Sequence, residues 1–399
     1  MQRRHDIDAI RALAFGLLIF YHLAMLYVSD WGWHLKSSYL SEALQMPMLM
    51  LNRWRMDLIF LISGISTAFL LQRSRVAGFV RERSWRLMLP LIFGMLVVVP
   101  VQPYAQGVAN GLVEPGFGQF LTRYYSGHTW PAKAFDGWEH GFTWNHLWYL
   151  AYLWCYTMLL ALLQPLLHSQ WGQRLRQAFA GLRGLPLLLL PALPLFIYTV
   201  TLQTRFPNTN DLTHDWYAHA MYFTIFLYGW CLASSDALWA ELAAQRRLAL
   251  GLALSAGTCY LVLVRLFWGV EEVSTTEQWA IWALRNVYVW ATLCTILAWG
   301  HTYLNRPWRW LPWATQAVYP WYVLHQSLIV LLAYWLVPLQ LGAVAEPLLV
   351  GGGTVLGCWI ITSALVQRVK WLRPLFGLKA QASAALKPHA VRPTHPMLH

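Results

Sequence analysis

Residues 9–28 read AIRALAFGLLIFYHLAMLYV, twenty residues that are apolar except for Arg11, His22 and two tyrosines. A helix rises about 1.5 Å per residue, so roughly 20 apolar residues cross the ~30 Å hydrocarbon core of a bilayer. The run is too long for the apolar core of a signal peptide and lacks a small-residue cleavage site, so it is expected to be a retained first membrane helix. Nine more stretches of the same kind follow, and the ten expected spans are 9–29, 47–71, 87–106, 146–168, 185–203, 217–235, 248–270, 278–300, 314–337 and 347–367. Helices satisfy their own backbone hydrogen bonds in lipid, and the alternation of a β-barrel strand is absent from these stretches. The expected fold is therefore all-α, a polytopic membrane helix bundle of about ten transmembrane helices. No linker long enough to separate two domains interrupts residues 1–379, while 380–399 reads as a disordered cytoplasmic tail.

Composition agrees with a membrane chain. Of the 399 residues 58% are hydrophobic and 12% are Asp, Glu, Lys or Arg, against roughly 25% charged in soluble domains. That excludes a soluble enzyme, a disordered chain and a disulfide scaffold. The five cysteines lie in apolar runs without CxxC spacing, so neither a zinc site nor a disulfide framework is expected. The formal charge of +12 is distributed unevenly. With the N-terminus inside, 20 of the 29 Lys and Arg residues fall in inner loops, four in outer loops and five within spans. This positive-inside bias makes both termini cytoplasmic and points to lipid headgroups, not nucleic acid, as the partner of the basic excess. Residues 107–145, rich in Gly, Trp and His, face outward and are expected to form a lid or acceptor-binding loop.

Ionisable residues inside spans are costly and need a partner or a cavity. Arg11 and His22 are eleven residues apart. At about 100° per residue they project from one helix face, separated by roughly 16 Å along the axis. Arg11 then lies near the cytoplasmic mouth with Asp8 spaced to hold its guanidinium, and His22 lies in the outer half. In the second span, Arg53 and Asp57 are spaced to pair while Arg55 points elsewhere. Arg265 and Arg285 sit at comparable depth, His146 opens the fourth span, and His325 lies near the middle of the ninth. These groups at similar depth predict one aqueous cavity in the outer half, and Arg11 and His22 read as a channel with an anion-binding entry at Arg11 and a general base at His22. In the plain structural alternative Arg11 snorkels to headgroups and His22 bonds a neighbouring helix. Arg73, Arg75, Arg81, Arg83 and Arg86, opposed only by Glu82, read either as an ordinary inner loop or as a phosphate site.

These residues resemble the acyltransferase family 3 membrane enzymes along most of the chain. Ile10-Arg11-Ala12 through His22 is similar to the family's first-helix pattern. Asp57-Leu58-Ile59-Phe60-Leu61-Ile62-Ser63-Gly64 is similar to its second-helix motif, and Arg83-Ser84-Trp85-Arg86-Leu87-Met88-Leu89-Pro90 to the basic loop and proline that follow. Arg55-Met56, His146-Leu147-Trp148-Tyr149-Leu150, Gly300-His301 and Val323-Leu324-His325 resemble the glucan biosynthesis protein C branch, linked to succinylation of periplasmic glucans. Asp57 follows the broader family instead of the neutral residue common in that branch. The resemblance implies a multi-pass enzyme of the bacterial inner membrane. Its donor substrate would be cytoplasmic acyl-CoA (acetyl-CoA or succinyl-CoA), with no permanently bound cofactor and no metal. The acceptor would be a hydroxyl of a periplasmic glucan or other envelope glycan. On that resemblance His22 is the catalytic histidine and Arg11 its donor-side partner, with Asp57 and Arg55 in the catalytic set. Arg83 and Arg86 would contact CoA phosphates and Ser63 would line the acyl path. His146, Trp148, Tyr149, Arg285 and His325 would meet the substrate.

The chemistry is coherent, because a hydroxyl is a weak nucleophile at its free pKa and needs a positioned base. His22 either takes its proton directly or is acylated first and relays the group. Arg55 or Arg285 could steady the oxyanion. A transporter or flippase is the competing reading, although the span holding Pro186, Pro191 and Pro194 lacks the matching broken helix that many transporters carry. A scaffold for a glycan-synthesis complex is the third.

Overall fold

The computed structural model describes residues 3–73 and 75–379, so the tail expected over 380–399 lies outside the described residues. The described chain is helical, and its β contact is an isolated bridge between Val28 and Ser41. Helix α1 spans His5–Met25, α2 Gln45–Leu71, α3 Val76–Phe93, α4 Val101–Ala109, α5 Phe117–Tyr125 and α6 Trp148–Leu162. Short helices α7 (Gln164–His168) and α8 (Gln170–Ala180) lead to α9 (Gly184–Leu189) and α10 (Ala192–Leu202). Then come α11 (Trp216–Leu232), α12 (Asp236–Ala244), α13 (Arg246–Leu266), α14 (Thr275–Tyr303), α15 (Leu311–Leu336), α16 (Ala345–Ile360) and α17 (Leu372–Leu375).

Among the described residues, eight helical segments are long and apolar enough to cross a membrane. The remaining two expected spans correspond to α6 and α11, which have 15 and 17 residues. A 15-residue helix reaches only about 22 Å, short of the ~30 Å core. Helix α6 is extended by a 3-10 turn at Asn145–Leu147 before it and by α7 after it. Both short helices contribute residues to the main buried core, among them Tyr152, Tyr156, Ile225 and Phe226.

Apolar exposure follows from lipid being the solvent. Leu13 and Phe20 of α1 are 55% and 65% exposed, while Ile10, Ala14 and Leu18 of the same helix are buried against the bundle. With tails as apolar as leucine outside, association depends on close backbone approach and polar contacts. Helices α2 and α11 supply the clearest case. Gly64 backs onto the Phe226 carbonyl and Gly229 onto the Leu61 carbonyl so closely that a methyl group on either would collide with backbone. The contact seats Tyr222 on Phe60, ring centroids 4.7 Å apart.

Arg11 near the start of α1 and Leu378 near the end of the described residues line one cavity, so both ends of the described chain share one end of the bundle. This end, toward which the excess of Lys and Arg is distributed, is called the inner end below. There the fully buried Asp6 accepts from Arg4 Nη2 (2.6 Å) and from His301 Nδ1 (2.8 Å), pinning α1 to the end of α14. At the outer end, residues 107–145 fold over their own apolar cluster of Val113, Phe120, Tyr124, Trp130, Ala134 and Phe135.

Candidate active site

Among the described residues, two cavities enter the bundle from opposite ends, and Arg11 and His22 of α1 line one each. The outer cavity has a volume of about 1160 Å³ and is lined by His22, His34, Arg55, His146, Trp148 and Gln326, roofed by residues 133–145 and 209–211. His22 reaches it from the last turn of α1, with its ring stacked near Trp33 at 6.5 Å and 9°. Its Nδ1 lies 2.8 Å from Nε2 of His325 on α15. Arg55 packs its guanidinium over the Tyr21 ring at 3.8 Å and donates to Asn52 Oδ1 at 3.0 and 3.2 Å.

Behind these rings runs a buried network of amides and imidazoles. His146 Nε2 donates to the carbonyls of Tyr322 (3.1 Å) and Val323 (3.2 Å), and its Nδ1 sits 3.3 Å from Gln102 Nε2. Gln102 Oε1 accepts from Asn145 and Gln326, each at 3.0 Å. Gln326 also contacts His34 Nε2 at 3.0 Å, and His34 Nδ1 donates to Gln106 Oε1 at 2.7 Å. Buried polar groups that are all paired hold one another in place, because any alternative leaves a donor or acceptor unsatisfied.

The part of the roof formed by residues 209–211 is anchored by Asp215. That carboxylate is 1% exposed and accepts from Tyr152 Oη (2.8 Å), from the Thr209 backbone and hydroxyl (both 2.7 Å) and from Asn210 N (2.8 Å). Asp211 faces the cavity itself. Bonds from the backbone and hydroxyl of Thr213 hold its carboxyl down to about 2, so it presents a permanent negative charge to whatever enters.

The inner cavity is narrow, about 130 Å³, and is lined by Arg11, Ser63, Ser66, Arg83, Arg86 and Tyr149 among others. Arg11 donates to Ser66 Oγ and lies 3.6 Å from Asp8 Oδ1. Ser63 Oγ and Tyr149 Oη are 2.6 Å apart. Arg83 is buried and reaches Thr67 Oγ1 at 3.4 Å, and its Nε has no hydrogen-bond partner among the described residues. Arg86 Nε donates to the Gly377 carbonyl at 3.1 Å. Phe15, Tyr149 and Tyr322 close the upper end of this pocket, with ring centroids 5.3 to 6.3 Å apart. Tyr322 in turn touches the rings of His146 and His325, at 5.7 and 6.2 Å. An aromatic partition one ring thick thus separates a pocket of guanidinium groups from a pocket of imidazoles.

A family model described as an acyltransferase domain, of the acyltransferase 3 type, matches residues 4–363, which takes in the outer cavity and the lining of the inner one except Leu378. The chain belongs to this acyltransferase family. No curated protein and no solved structure matches it.

The acyltransferase brings His22, Arg55, His146 and Trp148 to its outer cavity, with His325 directly behind His22. Arg11, Ser63, Arg83, Arg86 and Tyr149 meet at the inner one. Tyr149, grouped in the sequence with the substrate-facing His146 and Trp148, is one helical step further on and points to the inner side. Several residues depart from expectation. Arg53 does not pair with Asp57; its Nε donates to Tyr260 Oη at 2.9 Å. The Asp57 Oδ1 is buried without a hydrogen-bond partner among the described residues. Spacing of four allows a pair but does not select it, and a phenol on α13 lies nearer the outer turn of α2.

Arg285 is buried outside both cavities. Its Nη2 donates to Gln203 Oε1 (2.7 Å), Tyr217 Oη (2.9 Å) and Thr199 Oγ1 (3.0 Å), a cluster that ties α14 to α10 and α11. Arg265 is exposed at the end of α13. Depth alone therefore overstated the convergence on one cavity, because depth carries no information about which side of a helix faces inward. His34, Gln102, Gln106 and Gln326 were not anticipated. A signal existed for two of them: Gln102 and Gln106 are polar amides spaced i, i+4 inside an expected span.

Proposed function

We propose that this acyltransferase moves an acyl group, acetyl or succinyl, from cytoplasmic acyl-CoA to a hydroxyl of a periplasmic or other envelope glycan, with His22 as general base or acyl relay. The observation that carries this reading is the split of α1 between two cavities. One helix offers a guanidinium to an inner pocket rich in arginine and an imidazole to a roomy outer pocket, the two separated by aromatic rings. Arginines suit the phosphates of a nucleotide-type donor, and a narrow passage suits the long thin arm of a CoA thioester. Tryptophans and fixed carboxylates around the outer cavity suit a polyhydroxylated acceptor. The motifs at 323–325 and 146–150 favour a glucan of the periplasm and a succinyl group, in a bacterial inner membrane.

In the direct route His22 removes the hydroxyl proton as oxygen attacks the thioester carbonyl. Arg55 lines the outer cavity together with His22, and its guanidinium is a group available to steady the oxyanion. The test is the acyl content of the envelope glycans in cells carrying His22→Ala at wild-type membrane levels. Loss of the acyl mass increment is expected, and that increment distinguishes acetyl from succinyl. Undiminished acylation in His22→Ala would overturn both the base and the relay.

A further inference from the structure

We propose that His325 is a positioning residue for His22: it fixes the tautomer that turns the His22 Nε2 lone pair to the outer cavity and accepts the His22 Nδ1 proton during turnover. This rests on His22 acting as the base.

The proton inventory follows from acceptors that cannot donate. His325 Nδ1 lies 2.8 Å from the Tyr322 carbonyl and 3.0 Å from that of Trp321. Carbonyl oxygens only accept, so Nδ1 carries hydrogen, and a neutral imidazole then has a bare Nε2. That bare nitrogen is 2.8 Å from His22 Nδ1, so His22 must donate there and its own Nε2 is left with the lone pair. His325 is 1% exposed and its ring is held by carbonyls of its own helix, which leaves no competing orientation. His146 cannot disturb the pair: its Nε2 is committed to the Tyr322 and Val323 carbonyls and its Nδ1 to Gln102. The Tyr322 oxygen thus receives hydrogens from two imidazoles and places a negative dipole end beside His325.

Among the described residues no carboxylate bonds to His22, His146 or His325, so the partner of the base is a second imidazole. An imidazole can do what a carboxylate in a buried dyad usually does not, which is take the proton. As the acceptor O–H bond breaks, its proton goes to His22 Nε2, and the Nδ1 proton passes to His325 Nε2. The oxygen bonds to the thioester carbon, the C–S bond breaks and the electron pair leaves on sulfur. Both protons then return, His22 Nε2–H protonating the thiolate and His325 restoring Nδ1–H. The transient charge rests on His325, whose two N–H groups are both paired.

The test separates tautomer from turnover. The enzyme with ¹⁵N-labelled histidine is placed in nanodiscs, and the His22 signals are identified by their loss in His22→Asn. Hydrogen on Nδ1 and a bare Nε2 are expected in the unmutated protein. His325→Ala should shift His22 toward the Nε2–H form. His325→Gln keeps an oxygen able to accept from Nδ1 but cannot take the proton. It should preserve the tautomer while slowing thiol release from acetyl-CoA or succinyl-CoA, with a periplasmic glucan extract as acceptor, by about a hundredfold. Nε2–H on His22 in the unmutated protein, or an unchanged tautomer in His325→Ala, overturns the positioning role. Full turnover in His325→Gln overturns the proton-accepting role. If His22→Asn itself turns over normally while the tautomer is as expected, it is the base reading that fails.

Discussion

The outer and inner cavities solve opposite electrostatic problems on the same helix. Around His22 the buried groups are mostly neutral, and imidazoles, amides and carbonyls satisfy one another in a closed network. Around Arg11 the lining is cationic, with Arg11, Arg83 and Arg86 converging, Asp8 the nearby carboxylate and a buried Arg83 Nε left without a partner. A satisfied network is suited to holding a base rigidly, since reorganising it would break several bonds at once. A pocket with excess positive charge is incomplete until an anion enters, because buried charges are expensive unless paired. Rigidity on one side and unmet charge on the other is the division expected of a site where chemistry and donor binding occur at different depths.

That division can be broken most severely at Arg11. Arg11→Ala should raise the KM for acyl-CoA between about 10- and 150-fold, the equivalent of the ~1.5–3 kcal/mol of a charged hydrogen bond. The KM for the glycan acceptor should not move, and steady-state kinetics in which it does would erase the separation. Arg11→Lys, which keeps the charge but not the fork, should recover part of the loss. A smaller effect with the opposite signature is expected at Asp215, which lines neither cavity and acts through Thr209 and Asn210 of the outer one. Asp215→Asn weakens bonds to Thr209 and Asn210 and should raise acceptor KM about fivefold, in line with ~1 kcal/mol for a weakened hydrogen bond, leaving donor KM unchanged. The smallest effect on activity is expected at Arg285. Arg285→Gln should leave both KM values within about twofold while costing ~1–3 kcal/mol of stability, read as a lower melting temperature in detergent. A raised acceptor KM there would bring Arg285 back into the site.

Much of this was legible before any tertiary contact was known. Arg11 and His22 could be put on one face, and at opposite depths, from spacing and helical rise alone. The grouping of Ser63, Arg83 and Arg86 came with the family resemblance, and the structure gathers them at one pocket. The limits are equally specific. The i, i+4 spacing on α2 allows Arg53 to pair with Asp57, whereas its partner is Tyr260 on another helix. The depth of Arg285 points to the cavity, whereas its azimuth turns it toward Thr199 and Tyr217. His34 lies in a loop with no periodicity to read, and its place beside Gln326 depends on how that loop folds over the bundle.

What the sequence alone determined is the set of properties that are local in the chain: apolar length, the sidedness of charge and the face shared by Arg11 and His22. These depend on hydropathy summed over a window and on a fixed rotation per residue. The tertiary structure alone decided which imidazole meets which. His22 and His325 are 303 positions apart, and their contact exists because α1 packs on α15 at one register. In lipid that register is chosen by close packing and by the pairing of buried polar groups, and those are properties of surfaces brought together from distant segments.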